Sequence, residues 1–97
     1  MTDKIKSFDD LWNEAERRSL QVNKNDDSAY IVYEIQNLCS DIKDSVDPEA
    51  LEILNKSGIK KPILTDQIGE LLFMLTTITA RENINIYEAL KKYIDNL

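Results

Sequence analysis

Histidine is absent from this chain, and cysteine occurs once, at Cys39. Without histidine the chain lacks the usual general base, the usual zinc ligand and any group that switches charge near neutrality. A lone cysteine excludes an internal disulfide and fits a reducing compartment. With no imidazole to activate it, Cys39 is expected to be a small core residue on the second helix, not a nucleophile. Glycine and proline number two each, which suits long helices far better than turn-rich sheets. No stretch reaches the roughly 18 apolar residues of a membrane-spanning segment. The first seven residues carry charges without an apolar run behind them, so no signal peptide is expected and the cytoplasm is the predicted location.

What is present is mostly aliphatic and charged. Hydrophobic residues make up 42% of the 97, and 18 acids outnumber 12 bases, for a net charge of −6. Basic pairs such as Arg17-Arg18 and Lys91-Lys92 stand beside acids, so no broad phosphate-binding surface forms and direct nucleic-acid binding is not expected. The same interleaving disfavours an acidic decoy for a nucleic-acid-binding protein. The length suits one domain, residues 1–97, burying about two-thirds of its unfolded surface.

Apolar spacing predicts an all-α bundle of four main helices plus one short one. Helix one is predicted from Phe8 to Val22, capped by Ser7, with Phe8, Leu11, Trp12, Ala15, Ser19 and Val22 as its buried stripe. Helix two is predicted from Ala29 to Ser45, with Ile31, Ile35, Leu38, Ile42 and Val46 inward. Asp47-Pro48 starts a short helix that Gly58 ends and that Leu51 and Leu54 fasten to the bundle. After a connector from Lys60 to Thr65, with Thr65 as cap, helix three is nearly all apolar on one broad side and is predicted to be central. Phe73 and Met74 widen that surface, which predicts burial by a second chain as well, in a homodimer or a dimer of dimers. Gly69 within it suggests a close helix contact or a ligand's approach. Asn85 and Glu88 form a capping box for the last helix, with Ile84 as hydrophobic staple and Ala89, Leu90, Tyr93, Ile94 and Leu97 as its inner face.

Two polar turns interrupt the apolar helices. Glu34 and Asn37 lie three residues apart on helix two, and Gln67 and Glu70 three apart on helix three. Oxygen-bearing side chains at this spacing can both reach a hard cation, and two such pairs on neighbouring antiparallel helices can surround Mg²⁺. Pairs of this kind are also common on solvated helix faces, and the spacing alone favours that plainer reading.

From Ala29 to Leu97 the order of motifs resembles the MazG-like all-α nucleoside triphosphate pyrophosphohydrolase family. The matching pieces are Glu34-Ile35-Gln36-Asn37-Leu38 with Asp41-Ile42-Lys43, then Gln67-Ile68-Gly69-Glu70-Leu71-Leu72-Phe73, then Asn83-Ile84-Asn85, then Glu88-Ala89-Leu90. The resemblance implies a dimerising helical bundle that binds Mg²⁺ or Mn²⁺ and cleaves a nucleoside triphosphate to the monophosphate and pyrophosphate. It implies Glu34 and Glu70 as the catalytic and metal-binding acids, with Asn37 and Gln67 at the remaining metal positions. There the chain departs from the pattern, because the family carries glutamates where Asn37 and Gln67 stand. Asp41 and Asp66, each one turn away, are the acids placed to compensate, and Lys43, Lys91 and Lys92 are candidates for phosphate contact. The alternative implied by the amides is a catalytically degenerate nucleotide-binding or protein-interaction module.

Overall fold

The computed structural model describes residues 7–60 and 63–97. Met1–Lys6 and, within the connector, Lys61 and Pro62 lie outside the described residues. Among the described residues there are five helices and no strand: α1 (Phe8–Val22), α2 (Ser28–Val46), α3 (Pro48–Lys56), α4 (Leu64–Arg81) and α5 (Ile86–Asp95). None of them is long and apolar enough to cross a membrane.

The helix boundaries follow from local chemistry. Ser7 accepts from the Asp10 amide, Asp27 from the Tyr30 amide, Asp47 from the Glu49 amide and Asn85 from the Glu88 amide. Each cap satisfies one donor that the first helical turn leaves without a partner. Helix α4 starts differently from the prediction. Its cap position is Ile63, no side chain bonds the first turn, and Thr65 lies inside the helix. Two C-termini close in the same way. Gly58 (φ 69°) and Asn83 (φ 53°) adopt the left-handed conformation. The amides beyond them, Ile59 and Ile84, then reach back to the carbonyls of Leu54 (3.1 Å) and Thr79 (2.8 Å).

Helix α4 is central, as its apolar breadth predicts: α1 and α2 both pack on it, and α3 packs on α2. Arg81, in the last turn of α4, donates to Ser28 Oγ at the start of α2 (3.3 Å) and to the Asn23 carbonyl (2.9 Å). The two helices therefore run in opposite directions. Along α1, Trp12 reaches Thr79, Ser19 reaches Thr76, and Asn23 reaches Thr77. Those α1 positions span about 16 Å, at 1.5 Å per residue, yet their partners sit within one turn of α4. Helix α1 thus crosses α4 instead of lying along it.

The core is thin. Trp12 and Ile31 are the only hydrophobic side chains buried among the described residues, and Ile31 is fully so. Half of the predicted inner stripe of α1 faces out: Phe8, Leu11 and Val22 are exposed, because a crossing helix buries one spot and not a full stripe. Ile35, Leu38 and Ile42 are half-buried on α2, while Val46 and Cys39 are exposed, so Cys39 is not a core residue. On α4, Ile68 and Leu72 are exposed, and a side chain at Gly69 would meet nothing within 4 Å. Among the described residues no close helix contact accounts for that glycine. The inner face predicted for α5 is entirely exposed, and α5 makes no extended packing with any other helix.

At the outer surface of α1, the Arg17 and then the Arg18 guanidinium donate to Glu14, holding its carboxyl well below the usual carboxylate range. The depressed value means this contribution is complete above the ordinary carboxylate pKa and fades as pH falls through the lowered one.

Replacing Ile31 by alanine is expected to cost about 2–5 kcal/mol, the range for truncating a fully buried aliphatic side chain. Urea denaturation followed by circular dichroism measures it. A loss well under that range would show that the α2–α4 contact is not where the chain draws its stability.

Candidate functional site

The two helices that carry the polar turns, α2 and α4, pack against each other. On α2, Glu34 is half-buried while Asn37 and Asp41 are exposed. Glu34 is engaged by its neighbour one turn earlier. Interaction with the Glu34 carboxylate, first as a hydrogen-bond acceptor and then as a negative charge, raises the pKa of the Tyr30 hydroxyl. Ionising the phenol would break the bond and place two anions together. Sequence reasoning passed over Tyr30, although its position four residues before Glu34 puts both on one face.

On α4, Glu70 and Asp66 are exposed and Gln67 is half-buried. The Gln67 side-chain oxygen is itself fully buried and accepts no hydrogen bond. A buried acceptor without a donor costs about 1–3 kcal/mol, so Gln67 is the one predicted position that the fold leaves chemically unfinished. Among the described residues, no three Asp, Glu or Cys side chains are grouped to hold a metal ion. The four predicted donors, Glu34, Asn37, Gln67 and Glu70, are of another kind, two carboxylates with two amide oxygens. Such donors fit a hard cation in atom type but supply half the charge of four acids. The lysines do not converge: Lys43 is exposed on α2, while Lys91 and Lys92 are exposed on α5, where Lys91 Nζ already pairs with Asp95 at 2.6 Å.

A second polar constellation lies between α1 and α4, and the sequence reading missed it. The Trp12 indole N–H donates to Thr79 Oγ1 (3.2 Å), whose hydroxyl lies 2.8 Å from Glu16 Oε2 and 3.1 Å from the Thr76 carbonyl. Thr76 donates to Ser19 Oγ (2.8 Å), and Ser19 donates to the Glu16 carbonyl (3.2 Å). Asn23 Nδ2 donates to Thr77 Oγ1 at 2.9 Å. Ser19, Asn23, Thr76, Thr77 and Thr79 are all buried. The available signal was Thr76, Thr77 and Thr79 clustered in an otherwise aliphatic helix, where hydroxyls bond either backward to their own backbone or across to a neighbour.

This seam opens into a cleft of about 670 Å³. One wall is α1, with Asp9, Trp12, Asn13, Glu16 and Leu20; the other is the turn from α4 into α5, with Asn83, Ile84, Asn85 and Ile86 among its residues. The lining holds two acids, amides and apolar side chains and no cation. None of the predicted metal or phosphate positions lines it.

Replacing Thr79 by valine removes the acceptor of the Trp12 indole and the donor to Glu16 while keeping the shape. A loss of about 1–3 kcal/mol is expected from the stranded N–H. Trp12 is the sole tryptophan, so its emission reports the change directly; unchanged emission and unfolding midpoint would mean that the seam does not hold α1 in place.

No family model, curated protein or solved structure matches this chain.

Proposed function

We propose that this chain is a self-associating, MazG-like helical protein that binds a nucleoside triphosphate with Mg²⁺ or Mn²⁺ along the α2–α4 seam. There it cleaves the bond between the α and β phosphates with water, giving the monophosphate and pyrophosphate. The observation that carries the reading is the buried, unbonded oxygen of Gln67. It stands on the helix packed against α2, three residues before Glu70, and a cation is a partner that would complete it. Glu34 and Glu70 would supply the charge, Gln67 and Asn37 amide oxygens, with Asp41 and Asp66 as further acids one turn away. The cation, when bound, supplies positive charge against the phosphates and activates water. Tyr30, one turn earlier on the same face of α2, would steady the Glu34 carboxylate as ligand or base.

A second reading keeps the fold and the association and drops turnover. It is favoured by the amides at Asn37 and Gln67. Pyrophosphate release, measured across nucleoside and deoxynucleoside triphosphates with Mg²⁺ and with Mn²⁺, separates the two. Turnover supports the enzyme; its absence with every substrate leaves the binding module. Replacing Asn37 and Gln67 together by glutamate is expected to tighten Mg²⁺ binding about tenfold or more, because affinity follows ligand charge. An unchanged calorimetric isotherm would remove the cation site altogether.

Self-association rests on how open the single chain is. Its accessible surface is 7569 Å², against about 5,700 Å² for a compact monomer of this mass. Its radius of gyration is 16.1 Å, against about 12.5 Å for a compact domain of this length. Light scattering at micromolar concentration is expected to give at least twice the chain mass, and a monomer would refute the association.

A further inference from the structure

The cleft beside α1 holds none of the predicted cation or phosphate positions. At about 670 Å³ it falls within the range of small-molecule sites, about 300–1,000 Å³. Its α1 wall presents Asp9, Trp12, Asn13 and Glu16. Spacings of three, four and seven put these residues on one face of the helix. Asp9 and Glu16 stand two turns apart, about 10 Å along the axis at 1.5 Å per residue, with Trp12 and Asn13 in the turn between them. The facing wall, where α4 turns into α5, adds Ile84 and Asn85.

Neither acid has a basic neighbour. Among the described residues no ion pair involves Asp9 or Glu16, and no lysine or arginine lines the cleft. Arg17 and Arg18, the bases of α1, both turn to Glu14. Glu16 is half-buried, and the Thr79 hydroxyl lies 2.8 Å from its Oε2. Trp12 is held by its indole bond to the same threonine. These side chains are therefore placed before any ligand arrives, which reduces the ordering that binding must supply. An anion would meet like charge on this wall. A neutral ligand would take water from two carboxylates and return no charge, and a single ammonium would compensate only one of them.

We propose that this cleft binds a linear aliphatic diamine or polyamine, with one terminal ammonium at Asp9, the other at Glu16 and the methylene chain between them along the wall at Trp12. Charge-assisted bonds at both ends give the contact its strength, and the separation of the acids gives it a preferred length. A net charge of −6 draws polycations to the chain in general. Selection by length is what a two-ended site adds to that attraction. The inference is independent of the nucleotide reading, whose residues lie elsewhere, so either can fail alone.

The test uses the full chain without divalent metal, with calorimetry for affinity and Trp12 emission for occupancy of the cleft. The probes are spermidine, diaminooctane, diaminopropane and octylamine. Spermidine and diaminooctane, long enough to reach across two helical turns, are expected to bind about tenfold or more tightly than diaminopropane or octylamine, which engage one acid at a time. Asp9→Asn and Glu16→Gln are each expected to weaken diaminooctane about fivefold and to erase the preference for length. Glu16→Gln keeps an acceptor for Thr79; should it still lower helicity, Asp9→Asn changes only an exposed side chain and carries the test. Glu49→Gln removes the same charge on α3, outside the cleft, and is expected to leave affinity unchanged. No heat and no emission change with millimolar spermidine would overturn the proposal. Equal affinity for the short and long diamines would overturn it too, as would a loss in Glu49→Gln as large as in the cleft variants, which would reduce the binding to general attraction.

Discussion

Helix α4 is held on one side by hydroxyls and amides, and much else in this molecule is a consequence of that. Where α1 crosses it, the buried contacts are Trp12 with Thr79, Ser19 with Thr76 and Asn23 with Thr77. A hydrogen bond of this sort nets only about 1 kcal/mol, since water bonds are lost as it forms, but leaving one partner unmet costs more. Such a seam therefore fixes where α1 lies more than it stabilises the chain. Arg81 extends the same logic to the loop before α2, bonding the Asn23 carbonyl and Ser28 together. With this interface given to polar side chains, apolar burial must come from elsewhere. Among the described residues Trp12 and Ile31 are the only hydrophobic side chains that are buried. The aliphatic residues that make up much of the sequence are left on outer faces, and these are the faces that association would cover.

Fold class and helix limits were legible because they depend on local chemistry. Ser7, Asp47, Asn85 and Gly58 act through their own turns, and the structure uses each of them as read. Burial was less legible. Apolar periodicity tells which side of a helix is to be covered but not by which chain. For α5 the periodic side is real, yet nothing among the described residues covers it. For α1 a crossing geometry replaced the expected lengthwise packing, leaving Phe8 and Val22 outside. The threonines of α4 were overlooked for the opposite reason. In a hydropathy pattern they read as weak members of an apolar run, whereas Trp12 and Asn23 could not be buried without them.

The candidate cation site shows the same division. Sequence spacing identified Glu34, Asn37, Gln67 and Glu70, and the fold packs their two helices together. It did not reveal Tyr30 as a partner of Glu34, nor that Gln67 would be buried at its oxygen while Glu70 and Asn37 stayed in solvent. The asymmetry bears on chemistry. A carboxylate in water binds a divalent cation weakly because both remain well hydrated, and excluding water strengthens the attraction. With Glu70 exposed on α4, a tight site would need further surface to close over it.

On the proposed reading, assembly and cation binding would for that reason be physically linked in this chain. The exposed Ile68 and Leu72 flank Gly69 and Glu70 on the outer part of α4. Whatever covers those two apolar residues also lowers the water content around Glu70 and shields the space above the glycine. If a second copy closes over this part of α4, dimer formation and cation affinity become coupled free energies, each strengthening the other by the same factor. Such linkage makes the two measurable together: Mg²⁺ would tighten the dimer only if the cation site lies where assembly removes water.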